Sequence, residues 1–402
     1  MIFSYSNDWV FQFTGLQFPA GNVFLNFSGP ASIYVDYGNG AGATFTSGTA
    51  NRIFFGTDDT SNASANYPRY LYGTGSASSL RTVRIRINQP ELLVGLQVNG
   101  ALNRPQPFPV KFSRFVNLQS VGLSGMSLTD IDTSLLQLKN LTLLSFRGAF
   151  SKDTRFYGFI PDYVFSGKKY LTFGWQAALG GKSFSVSNLD KLAVHLGATL
   201  DRLILDSNSL GDTNGVDGAL PENFSGFGLL SYLALNNNLY STFPALINGL
   251  TSLTALEFGS NPLVSWGNLS GLTNLTTLNI SSSHATSLPA SVPAYFTNLT
   301  ALKVFSFMAC FGNAAGLEAF IGSFYSFVVS NAALSGPASL PFRNMRITCG
   351  DVAVGSGFLV SGVEKAPDGY VQGSSNGTPA NAAEMIYVMK NQYGHTWIYR
   401  GV

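Results

Sequence analysis

The pattern L-x-x-L-x-L-x-x-N returns along the middle of the chain, and no other feature limits the possible folds as tightly. "LDRLILDSN" carries it with Leu200, Leu203, Leu205 and Asn208, "LSYLALNNN" with Leu230, Leu233, Leu235 and Asn238, and "LTALEFGSN" with Leu253, Leu256, Phe258 and Asn261. Further copies are "LQSVGLSGM" (Leu118, Val121, Leu123), "LTLLSFRGA" (Leu141, Leu144, Phe146), "LTTLNISSS" (Leu275, Leu278, Ile280) and "LKVFSFMAC" (Leu302, Phe305, Phe307, Cys310). Weaker copies fall at Leu171/Phe173 and Met345/Ile347. The first residue of each central apolar pair then lies at 121, 144, 171, 203, 233, 256, 278, 305 and 345, with 23 residues from 121 to 144 and from 233 to 256 and 22 from 256 to 278. Such a period is that of a coil that contributes one short strand per turn. The longer steps, from 171 to 203 and from 305 to 345, leave room for helical crossovers in "NLDKLAVHLGATL" and "AAGLEAFIGSFYSFVV". Each strand turns its apolar pair inward, and the Asn three positions on can place its amide against unpaired backbone of the turn.

This pattern resembles the leucine-rich repeat, and "GALPENFSGFGLL" resembles the G-x-[IL]-P element of some of its members. The resemblance implies a mainly β fold with short helices: a leucine-rich-repeat solenoid over residues 105–350, with Cys310 at a position where the family takes Asn or Cys. Composition agrees with stacked β-structure. The chain has 402 residues, 45% of them apolar and only 11% charged, with a formal net charge of +2, so a core is affordable and the basic field that nucleic acid needs is missing.

Residues 1–104 alternate without repeating, in "NVFLNFSG", "SIYVDYGNG", "RIFFGT" and "TVRIRI", and read as an antiparallel β-sandwich, a possible anchor. "IYVDYGNGAGATF" followed by "YLYGTGSASSLRTVRIRI" resembles a PKD-type immunoglobulin-like module in which Tyr37 stands for the usual Trp and Asn39 for Asp. Residues 351–402 read as a small α/β cap or attachment module, with Ala383, Ile386, Tyr387 and Lys390 at helical spacing ahead of Gly394 and a closing β-like "HTWIYR".

Organised catalytic chemistry is not legible. His195, His284 and His395 lie far apart without metal-ligand spacing, and no nucleophile elbow accompanies any serine. Asp58, Asp59, Asp130, Asp132 and Glu257 would supply the paired carboxylates of a polysaccharide depolymerase, a fold seldom used for that chemistry. The loop "DSNSLGDTNGVDG" gathers Asp206, Asp212, Asn214 and Asp217 as conceivable calcium ligands, but Val216 occupies a ligand position of the EF-hand spacing, and a turn-rich loop is the favoured reading. No cofactor is expected. Asn140-Leu-Thr, Asn274-Leu-Thr and Asn298-Leu-Thr are sequons that the repeat itself dictates. Cys310 and Cys349 are read as core thiols and not as a disulfide.

What remains is a surface. The outward strand positions carry Tyr170, Arg202, Ile204, Asp206, Tyr232, Asn236, Glu257, Asn279 and Arg346, a mixture suited to a protein or glycan partner more than to a polyanion. "MIFSYSNDWVFQFTGLQFPAG" has no export signal and no run is long enough for a membrane helix, which leads to the expectation of a non-catalytic bacteriophage virion protein, a fibre, spike or decoration assembled in the host cytoplasm. Its partners would be other virion proteins and a host surface protein or glycan, with several copies, a trimer being the common fibre arrangement. The order of modules also resembles leucine-rich-repeat surface and fibre proteins of Bacteroidetes and their phages. A bacterial cell-surface adhesin is the alternative, with the depolymerase third.

Overall fold

The computed structural model describes residues 8–14, 21–38, 42–46, 52–56, 69–71, 80–100, 112–125, 138–147, 170–172, 197–208, 210, 211, 220, 222–283, 288–349 and 360–398. The chain forms two compact units, Met1–Leu200 and Asp201–Val402.

The first unit has eleven described strands: β1 (Trp9–Thr14), β2 (Gly21–Phe27), β3 (Ser32–Asp36), β4 (Gly42–Thr46), β5 (Arg52–Gly56), β6 (Arg69–Leu71), β7 (Leu80–Ile87), β8 (Leu93–Gly100), β9 (Ser120–Ser124), β10 (Leu143–Arg147) and β11 (Tyr170–Thr172). One antiparallel sheet has the order β1-β7-β3-β4. Its alternation is that expected of a sheet with one buried face: Ile33, Val35, Val83 and Ile85 are inaccessible, whereas Arg84 and Arg86 point outward. The second sheet runs β6-β5-β2-β8-β9-β10-β11. Here β8 is the joint. It pairs antiparallel with β2 on one edge and parallel with β9 on the other, where Leu96 faces Val121 and Val98 faces Leu123.

The repeat ladder therefore starts inside the segment 1–104. Leu93, Leu96 and Val98 of "LLVGLQVNG" are a copy of the repeat that alternation alone hides, because β8 is at once the last strand of the N-terminal sheet and the first rung of the parallel one. The register continues from Val121 to Leu144 to Leu171.

In the second unit the rungs are β12 (Arg202–Ile204), β13 (Tyr232–Ala234), β14 (Ala255–Glu257), β15 (Thr277–Asn279), β16 (Val304–Ser306), β17 (Arg346–Thr348) and β20 (Thr396–Ile398), all parallel. Leu203, Leu233, Leu256, Leu278, Phe305 and Ile347 stand in register and are each 0% exposed. Two expectations are corrected here. Ile347, not Met345, faces Phe305, so the apolar pair of that rung is Ile347 and Cys349, two residues later than the pattern suggested. Met345 is also buried, and Met345, Ile347 and Cys349 share strand parity, so the apolar spacing cannot tell the two registers apart. The ladder also does not stop at 350: β20 adds a rung in which Trp397 faces Ile347.

The return path of the coils is built from short 3-10 turns, Glu222–Gly226, Ala245–Gly249 and Ala294–Asn298, which bury Phe224, Ile247 and Phe296. Pro244 and Pro293 stand at the N-caps of the last two, where a missing N–H is harmless. Between β16 and β17 the crossover is α1 (Ala314–Asn331), as its spacing predicts, capped by Asn313, whose Oδ1 accepts the Gly316 N–H. Its buried stripe of Leu317, Phe320, Ile321, Phe324 and Val328 enters an aromatic cluster: Phe320 lies 5.6 Å from Trp266, 4.9 Å from Phe307 and 5.1 Å from Phe311, ring centre to ring centre. "NLDKLAVH", the other candidate crossover, lies outside the described residues.

The C-terminal segment supplies a hairpin, β18 (Asp368–Val371) with β19 (Ser375–Thr378), and α2 (Ala382–Tyr393). Asn381 caps α2 at its N-terminus, and Gly394, at φ 74, ends it in the left-handed conformation that a side chain would resist. The buried Gln392 clamps the hairpin, donating to the Val371 and Ser375 carbonyls and accepting from the Gly373 N–H.

Leu256 sits between two rungs that both press on it. Leu256→Ala is expected to cost about 2–5 kcal/mol in equilibrium denaturation, transfer and cavity terms combined. A loss under about 0.5 kcal/mol would place it outside the core.

Candidate binding face

The outward face of the second unit is set by what lies under its edge. After each strand the chain turns through a left-handed residue at the same repeat position: Ser207, Asn237, Ser260, Ser282 and Ala309 have φ of 59, 53, 57, 60 and 55. None of them is glycine, so the turn is held against its own preference. At the second and third of these turns the next residue, an asparagine, holds it, whereas Asn208 after Ser207 is buried with neither amide atom bonded among the described residues. Asn238 is 3% exposed; its Oδ1 accepts the Asn208 and Leu210 N–H groups at 2.9 and 3.1 Å, and its Nδ2 donates to the Leu205 and Leu235 carbonyls at 3.1 and 2.9 Å. Asn261 repeats the scheme, accepting from the Tyr240 N–H and donating to the Leu235 and Phe258 carbonyls. Further along the same position shrinks. Ser283 donates to the Ile280 carbonyl at 2.6 Å, and Cys310 donates its thiol to that carbonyl at 2.9 Å. Burial pushes the Cys310 and Cys349 thiols up to about 12, and both are free, as expected of core thiols.

A second, outer row mirrors the first. Asn140, Asn274 and Asn298 donate Nδ2 to the carbonyls of Val116, Thr251 and Ser270 in the preceding coil, and Asn117 does so to Glu91. The nitrogen that glycosylation would modify is thus a structural donor at these three Asn-Leu-Thr sequons.

On this frame the predicted face residues divide. Arg202, exposed, lays its guanidinium 4.0 Å from the ring centre of Tyr232 on the next rung. Asp206 and Asn236 are half-buried and serve the fold: Asp206 Oδ1 accepts the Asn236 N–H at 2.8 Å, and Asn236 Oδ1 accepts the Gly259 N–H at 2.7 Å. Gly259 permits that approach, because a Cβ there would meet the Asn236 amide oxygen at 3.2 Å and the Ser281 carbonyl at 2.7 Å. Glu257 and Asn279 form a pair, Nδ2 to Oε2 at 2.7 Å. Burial is the main influence on Glu257 and raises its pKa above the ordinary carboxylate value; the Asn279 bond opposes the rise and neighbouring Asp206 adds to it. Arg346 is exposed at the first outward position of its rung, in the column of Arg202 and Tyr232. Tyr170 belongs to the first unit, at a described strand position facing Leu143.

Other expected sites fall elsewhere. Asp58, Asp59, Asp130, Asp132, Asp212, Asn214, Asp217, His195 and His284 lie outside the described residues, and among the described residues no group of three potential ligands could hold a metal. No described helix is long and apolar enough to cross a membrane. Ala234, Ala255 and Gly259 share the outward parity of the named side chains, but Ala234 and Gly259 are buried and Ala255 is half-buried.

No protein-family model matches the chain, and no curated protein does. Among solved structures it is similar to internalin C2 of Listeria monocytogenes, at 19% identity and a TM-score of 0.38 over 55% of this chain and 82% of that one. It is also similar to a leucine-rich-repeat protein of Leptospira interrogans (22%, 0.35, 49% of this chain and 50% of that). A third is the leucine-rich-repeat ectodomain of an Arabidopsis thaliana receptor kinase, GASSHO1/SCHENGEN3, in complex with Casparian strip integrity factor 2 (22%, 0.30, 50% and 26%).

The division of labour on the face is measurable. Asn238→Ala strands several buried backbone groups and is expected to cost about 2–4 kcal/mol, whereas Arg202→Ala is expected to cost no more than about 1 kcal/mol. Urea denaturation of both variants compares them directly.

Proposed function

We propose that this protein is a non-catalytic recognition component of a bacteriophage particle, whose ladder face in the second unit binds a protein or glycan of the host surface. The observation that supports a binding role is the split on that face: buried asparagines and half-buried Asp206, Asn236 and Asn279 bond the backbone, which leaves the stacked Arg202–Tyr232 pair and Arg346 displayed on a stiff ladder, with half-buried Glu257 held by Asn279. Side chains presented by a fixed backbone lose less entropy on binding. The low charge, 11% of residues, suits a neutral or mixed partner. In this reading the N-terminal module, an immunoglobulin-like sandwich, is the anchor to other virion proteins, the α/β segment after the repeats caps the solenoid, and several copies share one particle.

The test combines location with binding. Gold-labelled antibody against the intact chain should mark purified particles in electron micrographs. Intact protein should also bind host cells, and Tyr232→Ala should weaken that binding at least about tenfold without changing circular dichroism. Label on the bacterial envelope and none on particles would favour the adhesin. Release of sugar from host polysaccharide that Glu257→Gln abolishes would favour the depolymerase.

A further inference from the structure

The last rung of the second unit is held by a histidine that must be neutral. His395 is 3% exposed and directly follows the left-handed Gly394 at the end of α2. Its Nδ1 accepts the Met345 N–H at 3.3 Å, and backbone bonds close the same seam: Asn344 N–H to the Tyr393 carbonyl at 2.9 Å, Thr396 N–H to Met345 at 2.8 Å and Cys349 N–H to Ile398 at 3.0 Å. An imidazolium has no lone pair at Nδ1, so protonation would aim one N–H at another.

The surroundings oppose that charge. Two cationic groups face His395: Lys303, just before β16, and Arg343, before β17; the Tyr393 ring of α2 lies 6.3 Å away. Lys303 donates to the carbonyls of Ala338, Leu340 and Arg343 at 3.3, 3.1 and 3.3 Å, which fixes it in place. Nε2 of His395 is buried with no hydrogen-bond partner among the described residues. Burial lowers its pKa most, the contact with the Met345 backbone opposes the fall, and Arg343 and Lys303 add to it, so that it comes down to about 4.

We propose that His395 is an acid-operated latch, whose protonation frees β20 from β17 and bares the hydrogen-bonding edge of β17 while the earlier rungs stay folded. The sign follows from linkage. A histidine whose folded pKa lies below its free value of about 6.5 contributes its full stability above that pH and loses it as the pH falls toward the folded value. The release is local because β20 has three residues. α2 keeps bonds of its own: Gln392 to the hairpin, Lys390 to Glu364 at 2.6 Å, and, ahead of it, Ser361 N–H to Glu318 at 2.7 Å on α1.

Amide hydrogen exchange of the full chain, followed by NMR between pH 7.5 and 4.5 and corrected for intrinsic chemistry, tests the latch. Protection at Met345, Cys349 and Thr396 should fall about tenfold per pH unit below about pH 6, one proton's worth of linkage, while Phe258 and Ile280 keep theirs. In His395→Gln, whose amide oxygen can still accept the Met345 N–H but does not titrate, the same amides should show no pH dependence. The His395 ring resonance of the unmodified protein gives a reading that does not depend on the variant folding: a pKa within about half a unit of 6.5 overturns the proposal. Constant protection at Thr396 overturns it as well, and so does loss at Phe258 in step with Thr396, which would mean unfolding of the whole unit.

Discussion

A buried carboxamide that bonds the backbone of two coils at once allows a strand of only three residues to serve as a repeating unit. A rung such as β13 contributes too few ladder bonds to stand alone, and the turn after it passes through the left-handed Asn237. Asn238 supplies both kinds of partner that this turn lacks, accepting two N–H groups and donating to carbonyls of its own and the preceding coil. Amide side chains alone offer donors and an acceptor on so short a stem. Where the chain replaces them, Ser283 and Cys310 each donate to the Ile280 carbonyl, and the core beside those coils becomes aromatic, with Phe305, Phe307 and Phe320 in mutual contact.

The same economy shapes the surface. A strand side chain that points outward near the turn is close to the next coil's backbone, and Asp206 and Asn236 are drawn into it. The residues that open their rungs, Arg202, Tyr232 and Arg346, lie where the backbone is already paired, whereas Glu257 and Asn279 close theirs, and Asn279 Oδ1 also accepts the Ser281 N–H at 2.9 Å. The outer asparagines of the sequons serve the opposite edge in the same way.

Both ends of the ladder join to other structure through sheet pairing. β8 takes an antiparallel neighbour on one edge and a parallel one on the other, so the N-terminal sheet and the first repeat share a strand and the first rung has no open edge. In the second unit the chain leaves the ladder after β17, builds a hairpin and a helix, and returns with β20. The aromatic residues of α1 fill the space left by its longer coil, and Trp397 of the returning strand reaches Phe324 at 6.2 Å.

The repeat, its inward leucines, the helix at 314–331 and the end of α2 before Gly394 were legible in the sequence, because each is a local periodicity or a terminating residue that physics ties to one conformation. The outward parity of the face residues was legible for the same reason. The copy at Leu93–Val98 was not, since a strand shared by two sheets shows the alternation of both. Nor was the register of β17: Met345, Ile347 and Cys349 are all apolar and all inward, so only pairing with β16 could choose among them. Tertiary structure also decided what each polar residue of the face engages. Asp206 and Arg202 share one strand face, yet one is bound to the next coil's backbone and the other stacks on its neighbour's ring, because what lies one rung away is more than 20 residues off in sequence.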